Sequence, residues 1–108
     1  MDAIRSNIWA ARAAALLRDH GTAARRHSEA GRLLKERGEL GPARTQYLRA
    51  VKHLLRLEDI NRVSDPGLAS LMLGIADANL GKIIEINSAL RTLSILYSPA
   101  SPAASKRA

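Results

Sequence analysis

Three histidines, ten acidic residues and a few hydroxyls are the groups with which this 108-residue chain could do chemistry. Their spacing gathers none of them into a reaction centre. There is no cysteine, which removes thiolate nucleophiles, thiolate metal ligands and disulfides together. No glycine-rich loop that could cradle a phosphate precedes a lysine. His20 and His27 stand seven apart, a spacing that shares one face of a continuous helix, but Gly21 and Thr22 between them predict a break. The pair therefore reads as surface histidines and not as a metal site, and His53 reads as a solvated residue. No catalytic, cofactor-binding or metal-binding residue is predicted, and neither an enzyme nor a small-molecule substrate is expected.

The charge is the stronger chemical signal. Seventeen basic residues against ten acidic ones leave a net +7, which favours acidic partners of any kind. Arg49, Lys52 and Arg56 recur at three, four and seven residues, so they share one side of a helix and could steer an acidic segment. Arg25, Glu29, Arg32 and Glu36 alternate in sign at helical spacing, the pattern of a solvent face laced with ion pairs. Aromatic residues do not interleave with the basic ones as base stacking would need. A basic nucleic-acid-associated protein is accordingly the alternative reading and a protein partner the first.

The elements that must position these groups are helical. Apolar residues make up 46% of the chain, yet Phe is absent and only one Trp and two Tyr occur, so Leu, Ile and Ala must build the core. No window alternates apolar and polar residues long enough to argue a strand. The expected fold is all-α, a single domain over residues 1–97, with residues 98–108 a disordered basic tail rich in Pro, Ala and Ser. Asp2, Arg5 and Arg12 interrupt any signal-peptide run, and Asp77, Lys82, Glu85 and Arg91 argue against a transmembrane segment in the most apolar stretch. An intracellular, cytoplasmic protein is expected. The Ala- and Arg-rich opening keeps organelle targeting as the alternative, opposed by Asp2 and Asp19.

Four helical segments are predicted. The first runs from Asp2 to His20 with Ile4, Ile8, Trp9, Leu16 and Leu17 as its apolar stripe. The second is capped by Thr22 and spans Ala23–Arg37. The third follows a turn at Gly38–Gly41, has Pro42 at its start and covers Ala43–Leu57, with Ala43, Tyr47, Ala50, Leu54 and Leu57 on one face. Glu58–Val63 reads as a connection. Ser64, Asp65 and Pro66 then start a fourth segment that reaches about Tyr97, either as one helix or as a hairpin bent near Gly81.

Pairs of glycines seven apart recur at Gly31/Gly38 and Gly74/Gly81, offset by 43 residues. With Ala43, Tyr47 and Ala50 at small, aromatic and small positions, residues 24–57 resemble a tetratricopeptide repeat. Residues 67–99 resemble it more distantly. The resemblance implies antiparallel helical hairpins, a four-helix tetratricopeptide-like bundle, and a role in binding other proteins. The chain departs from that pattern at His27, Leu34 and Leu55, where the family favours Trp, Tyr and Pro. The Ala-rich helix pair and following helix also resemble a microtubule-interacting-and-transport domain, which implies binding of partner helices.

In the fourth segment Leu, Ile and Met surround nearly the whole circumference, and a helix apolar on all sides must be covered. Leu73, Leu80, Ile84, Leu90 and Leu93, with Arg49, Lys52 and Arg56 at the rim, are the predicted partner-binding residues. The expected function is that of an adaptor, small chaperone or assembly subunit, binding a partner protein or a second copy of itself through an apolar helical groove.

Overall fold

A computed structural model describes residues 2–97, which form four α-helices and, among the described residues, no strand: α1 (Ala3–Leu16), α2 (His20–Glu36), α3 (Leu40–Asn61) and α4 (Pro66–Tyr97). The chain is all-α, as its composition requires. The tail expected at 98–108 lies outside the described residues.

The turns depart from expectation in an instructive way. Gly21 and Thr22 do not break a helix; they lie in the first turn of α2, whose N-cap is Asp19, with its Oδ1 accepting from the Thr22 amide at 3.2 Å. The break falls at Leu17–Asp19, where the Asp19 amide donates to the Ala14 carbonyl at 2.8 Å. Twenty residues on, the Glu39 amide donates to the Leu34 carbonyl at 2.9 Å. In both turns the preceding residue is left-handed, Arg18 at φ 59° and Gly38 at φ 78°. Each is a Schellman closure, and at the first Asp19 also caps the incoming helix, whereas the Glu39 side chain makes no capping bond to α3. Glycine marks only the second, because an arginine pays the steric cost of the left-handed conformation at the first.

Helix α3 extends past the expected Leu57 to Asn61, absorbing most of the predicted connection, while its start moves back to Leu40. Pro42 then sits in the first turn, where its missing N–H has no intrahelical partner to lose. Asp65 caps α4 through the Leu68 amide at 3.1 Å. Gly74 and Gly81 lie inside α4, which is one uninterrupted helix. The correspondence between Gly38 and Gly81 therefore does not extend to a second turn.

Consecutive helices pack as antiparallel neighbours, α1 on α2, α2 on α3 and α3 on α4. His27–Gln46 and His20–His53 run in opposite order along α2 and α3, and Arg44–Asn87 ties α3 to α4. Helices α2 and α4 meet in parallel through Ser28–Asn79 and Lys35–Glu85. The core joins Ala24 and Leu34 of α2, Ala43, Tyr47, Ala50, Val51 and Leu54 of α3, and Ala76, Ile83 and Ile86 of α4. A Cβ on Gly31 would come within 3.1 Å of the Tyr47 ring, so the glycine permits α2 and α3 to close on that aromatic.

The α1 stripe is the predicted one only in part: Ile4 packs against the core and Ile8 is half-buried. Asn7, Ala11 and Ala14 are its buried residues, whereas Trp9, Leu16 and Leu17 point outward. The reason is position. As the edge of the array α1 packs chiefly on α2, and alanines allow the close approach that one-sided packing rewards.

Candidate functional site

Three surfaces could act. The first is the apolar exterior of α4. Ala69, Ala76, Asn79, Ile83 and Ile86 are buried in the array, with Met72 and Leu90 packed at its edge. Leu90 therefore belongs to the packed side. Leu73, Leu80, Ile84 and Leu93 remain 45%, 39%, 68% and 42% exposed. Arg44 Nη1 donates to Asn87 Oδ1 at 2.8 Å, which places the Leu80–Ile84–Asn87 flank of α4 beside the Arg44–Leu48–Leu55 flank of α3. Leu48 and Leu55 are exposed there as well. Leu93 is exposed for a different reason: with Asn87 opposite Arg44, the end of α4 runs past the start of α3 at Leu40. From Arg91 to Tyr97 every residue is exposed. By length and composition α4 is also long and apolar enough to cross a membrane.

The second surface is a cleft of about 1090 Å³ between α2 and α4. Tyr47, Leu54, Leu57, Met72 and Ile75 contribute its apolar lining, and Arg25, Arg26, Arg32, Lys35 and Lys82 line it with Glu29 and Glu36. Arg32 is held between Glu29 and Glu36, and Lys35 pairs with Glu85 at 2.8 Å, so the predicted ion-paired face of α2 borders this cleft. Ile75 and Lys82 lie roughly 200° around α4 from Leu73 and Ile84 respectively, so the two surfaces lie on opposite flanks of the helix. Sequence reasoning missed this cleft, because it arises from the spacing between α2 and α4 and not from the pattern along either.

The third surface is a smaller cleft, about 430 Å³, formed by α1, α2 and α3. It is lined by Arg12, Ala15, His20, His27, Arg49, Lys52, His53 and Arg56. The predicted basic rim residues thus gather here and not beside the α4 exterior. The continuous start of α2 puts His20 and His27 on one face after all, and α3 brings His53 to them. His20 and His53 are joined Nδ1 to Nδ1 at 2.9 Å, so one ring donates and the other accepts. His27, buried, donates from Nδ1 to Gln46 Oε1 at 2.7 Å and stacks on His53 with centroids 5.8 Å apart. The expectation of three solvated histidines is therefore corrected: His27 is core and the other two are half-buried. Burial holds the His27 imidazole below its ordinary pKa. His53 is depressed first by burial and then by the charges of His20, His27 and Lys52. Among the described residues no group of three or more His, Asp or Glu is arranged to hold a metal ion.

No family model, no curated protein and no solved structure matches this chain. Function must be argued from these surfaces alone. The α4 exterior exposes a run of large aliphatic side chains, and the histidine cleft brings three histidines together with four cations.

Proposed function

We propose that the protein is a non-catalytic protein-interaction module whose middle is a tetratricopeptide-like hairpin, and that it seats a helix of another chain against α4. The observation that carries this reading is the exposed strip of Leu73, Leu80 and Ile84 beside Leu48 and Leu55, extended by the apolar overhang through Leu96. Five large aliphatic side chains at helical spacing on two neighbouring helices form a shallow groove. The free energy recovered by covering it is of the order of 25 cal/mol per Å². An amphipathic helix with anchors at three- and four-residue spacing is the complementary shape.

Photo-crosslinking in cells tests the proposal, with a photoreactive side chain introduced at Ile84 and, as control, at exposed Arg5. A protein adduct at position 84 and none at position 5 is expected, and light scattering then tells a second copy from a different chain. Lipid adducts at 84 would assign α4 to a membrane and overturn the reading. So would a monomeric mass with no adduct at all.

A further inference from the structure

We infer that the cleft between α1, α2 and α3 is a binding site for a small, multiply charged oxyanion of the phosphate type, and that the His20–His53 pair couples its occupancy to proton uptake. Nothing in the α4 interface reading requires this site.

The cleft gathers four cationic side chains around one concavity that has no acidic residue in its lining. The larger cleft between α2 and α4 differs, because Glu29 and Glu36 line it together with its cations and Arg32 is paired to both. Among the described residues Arg12, Arg49, Lys52 and Arg56 take part in no salt bridge, and no acidic residue lines the cleft. Arg12 instead lies 5.8 Å from the Trp9 ring centroid. Four like charges around one concavity repel one another, and a polyanion relieves that repulsion while accepting charge-assisted hydrogen bonds. Guanidinium groups come from α1 and α3 and an ammonium from α3, so the donors converge from opposite walls, as encircling a tetrahedral oxyanion demands.

The histidines add the proton linkage. With Nδ1 facing Nδ1 at 2.9 Å, the pair is compatible with a hydrogen on only one of the two nitrogens. When both rings are imidazolium, two N–H groups oppose each other and the contact becomes repulsive. Once that repulsion parts the rings, an oxyanion entering the cleft accepts from both and converts the repulsion into two bonds. The groups facing the pair are Arg12 from α1, His27 from α2, and Arg49, Lys52 and Arg56 from α3. The carboxylate next to His20 in the chain is Asp19 at the α2 N-cap, which is already bonded to the Thr22 amide. No α4 side chain lines the cleft. Proton uptake by His53 is thus opposed by burial and by the neighbouring charges until an anion enters, and the two events favour each other.

Titration of the whole chain, followed by heteronuclear NMR, tests this with inorganic pyrophosphate and with sulfate, whose charge is constant across the range used. Saturable one-to-one pyrophosphate binding is expected, weakened about tenfold by Lys52→Ala or Arg56→Ala and unchanged by Arg91→Ala on α4. Sulfate should bind more tightly at about pH 5.5 than at about pH 7.5 and shift the His20 and His53 ring resonances; His53→Gln should abolish that dependence. Lys52 and Arg56 are exposed, so their variants leave the fold intact. Absence of binding, an equal effect of Arg91→Ala, or pH-independent sulfate binding would overturn the inference. A short DNA duplex that binds through the same residues far more tightly than pyrophosphate would overturn the small-anion assignment.

Discussion

Gly31 of α2 faces the ring of Tyr47 on α3 so closely that a methyl group at the glycine would stand 3.1 Å from ring carbons Cδ2 and Cε2. Gly31→Ala is therefore expected to destabilise the chain by about 1–3 kcal/mol, since Tyr47 is locked in the core and cannot yield cheaply. Gly74 and Gly81 have nothing within 4 Å of an added Cβ and lie inside α4. Gly74→Ala and Gly81→Ala should each stabilise by about 0.5–1 kcal/mol through helix propensity. Urea unfolding monitored by circular dichroism measures all three.

Two isoleucines one half-turn apart on α4 should behave oppositely. Ile86 is fully buried, whereas Ile84 is two-thirds exposed. Ile86→Ala should cost about 2–5 kcal/mol and Ile84→Ala no more than about 0.5 kcal/mol in the isolated chain. Urea midpoints that fall equally for both would place Ile84 in a packed core and remove the basis of the proposed interface.

The two Schellman turns invite an exchange. Arg18→Gly relieves a left-handed arginine and should stabilise by about 1 kcal/mol, while Gly38→Ala should cost about that amount. Asp19→Ala, which removes the α2 cap, should cost about 1 kcal/mol. Thermal unfolding of the three variants checks the set.

Stability should fall on mild acidification. The folded pKa values of His27 and His53 lie below the ordinary histidine value, so the unfolded chain takes up protons first as pH falls. Their contribution is complete above the unfolded pKa of about 6.5 and is lost as pH drops from there towards the depressed folded values. Unfolding free energies measured across that window should decline for the native chain, with a shallower slope in His53→Gln. Sulfate bound in the cleft between α1, α2 and α3 should restore part of the loss.

Much of the architecture was legible along the chain because it follows from short-range rules. Leu- and Ala-rich composition without alternation dictated helices, Asp65-Pro66 marked the start of α4, and the Ala43–Tyr47–Ala50–Leu54 stripe of α3 is buried as its periodicity requires. The start of α2 was not legible, since Gly21 reads as a terminator unless Asp19 is seen capping from the preceding turn. The stripe of α1 held at Ile4 but misled at Trp9, Leu16 and Leu17, because periodicity finds an apolar face but not how much of it a neighbour covers.

By itself, then, the sequence determined that the chain is helical, roughly where its helices lie, and that α4 carries more apolar surface than one packed side can use. Only the tertiary structure decided where Arg49, Lys52 and Arg56 point, that Leu90 is packed while Ile84 is not, and that histidines from α2 and α3 share one cleft with Arg12. The physical reason is that helical periodicity constrains neighbours within a few residues on one element. The meeting of His20 with His53, 33 positions apart, depends on the register in which two whole helices pack, and that is set by Gly31, Tyr47 and the turns together.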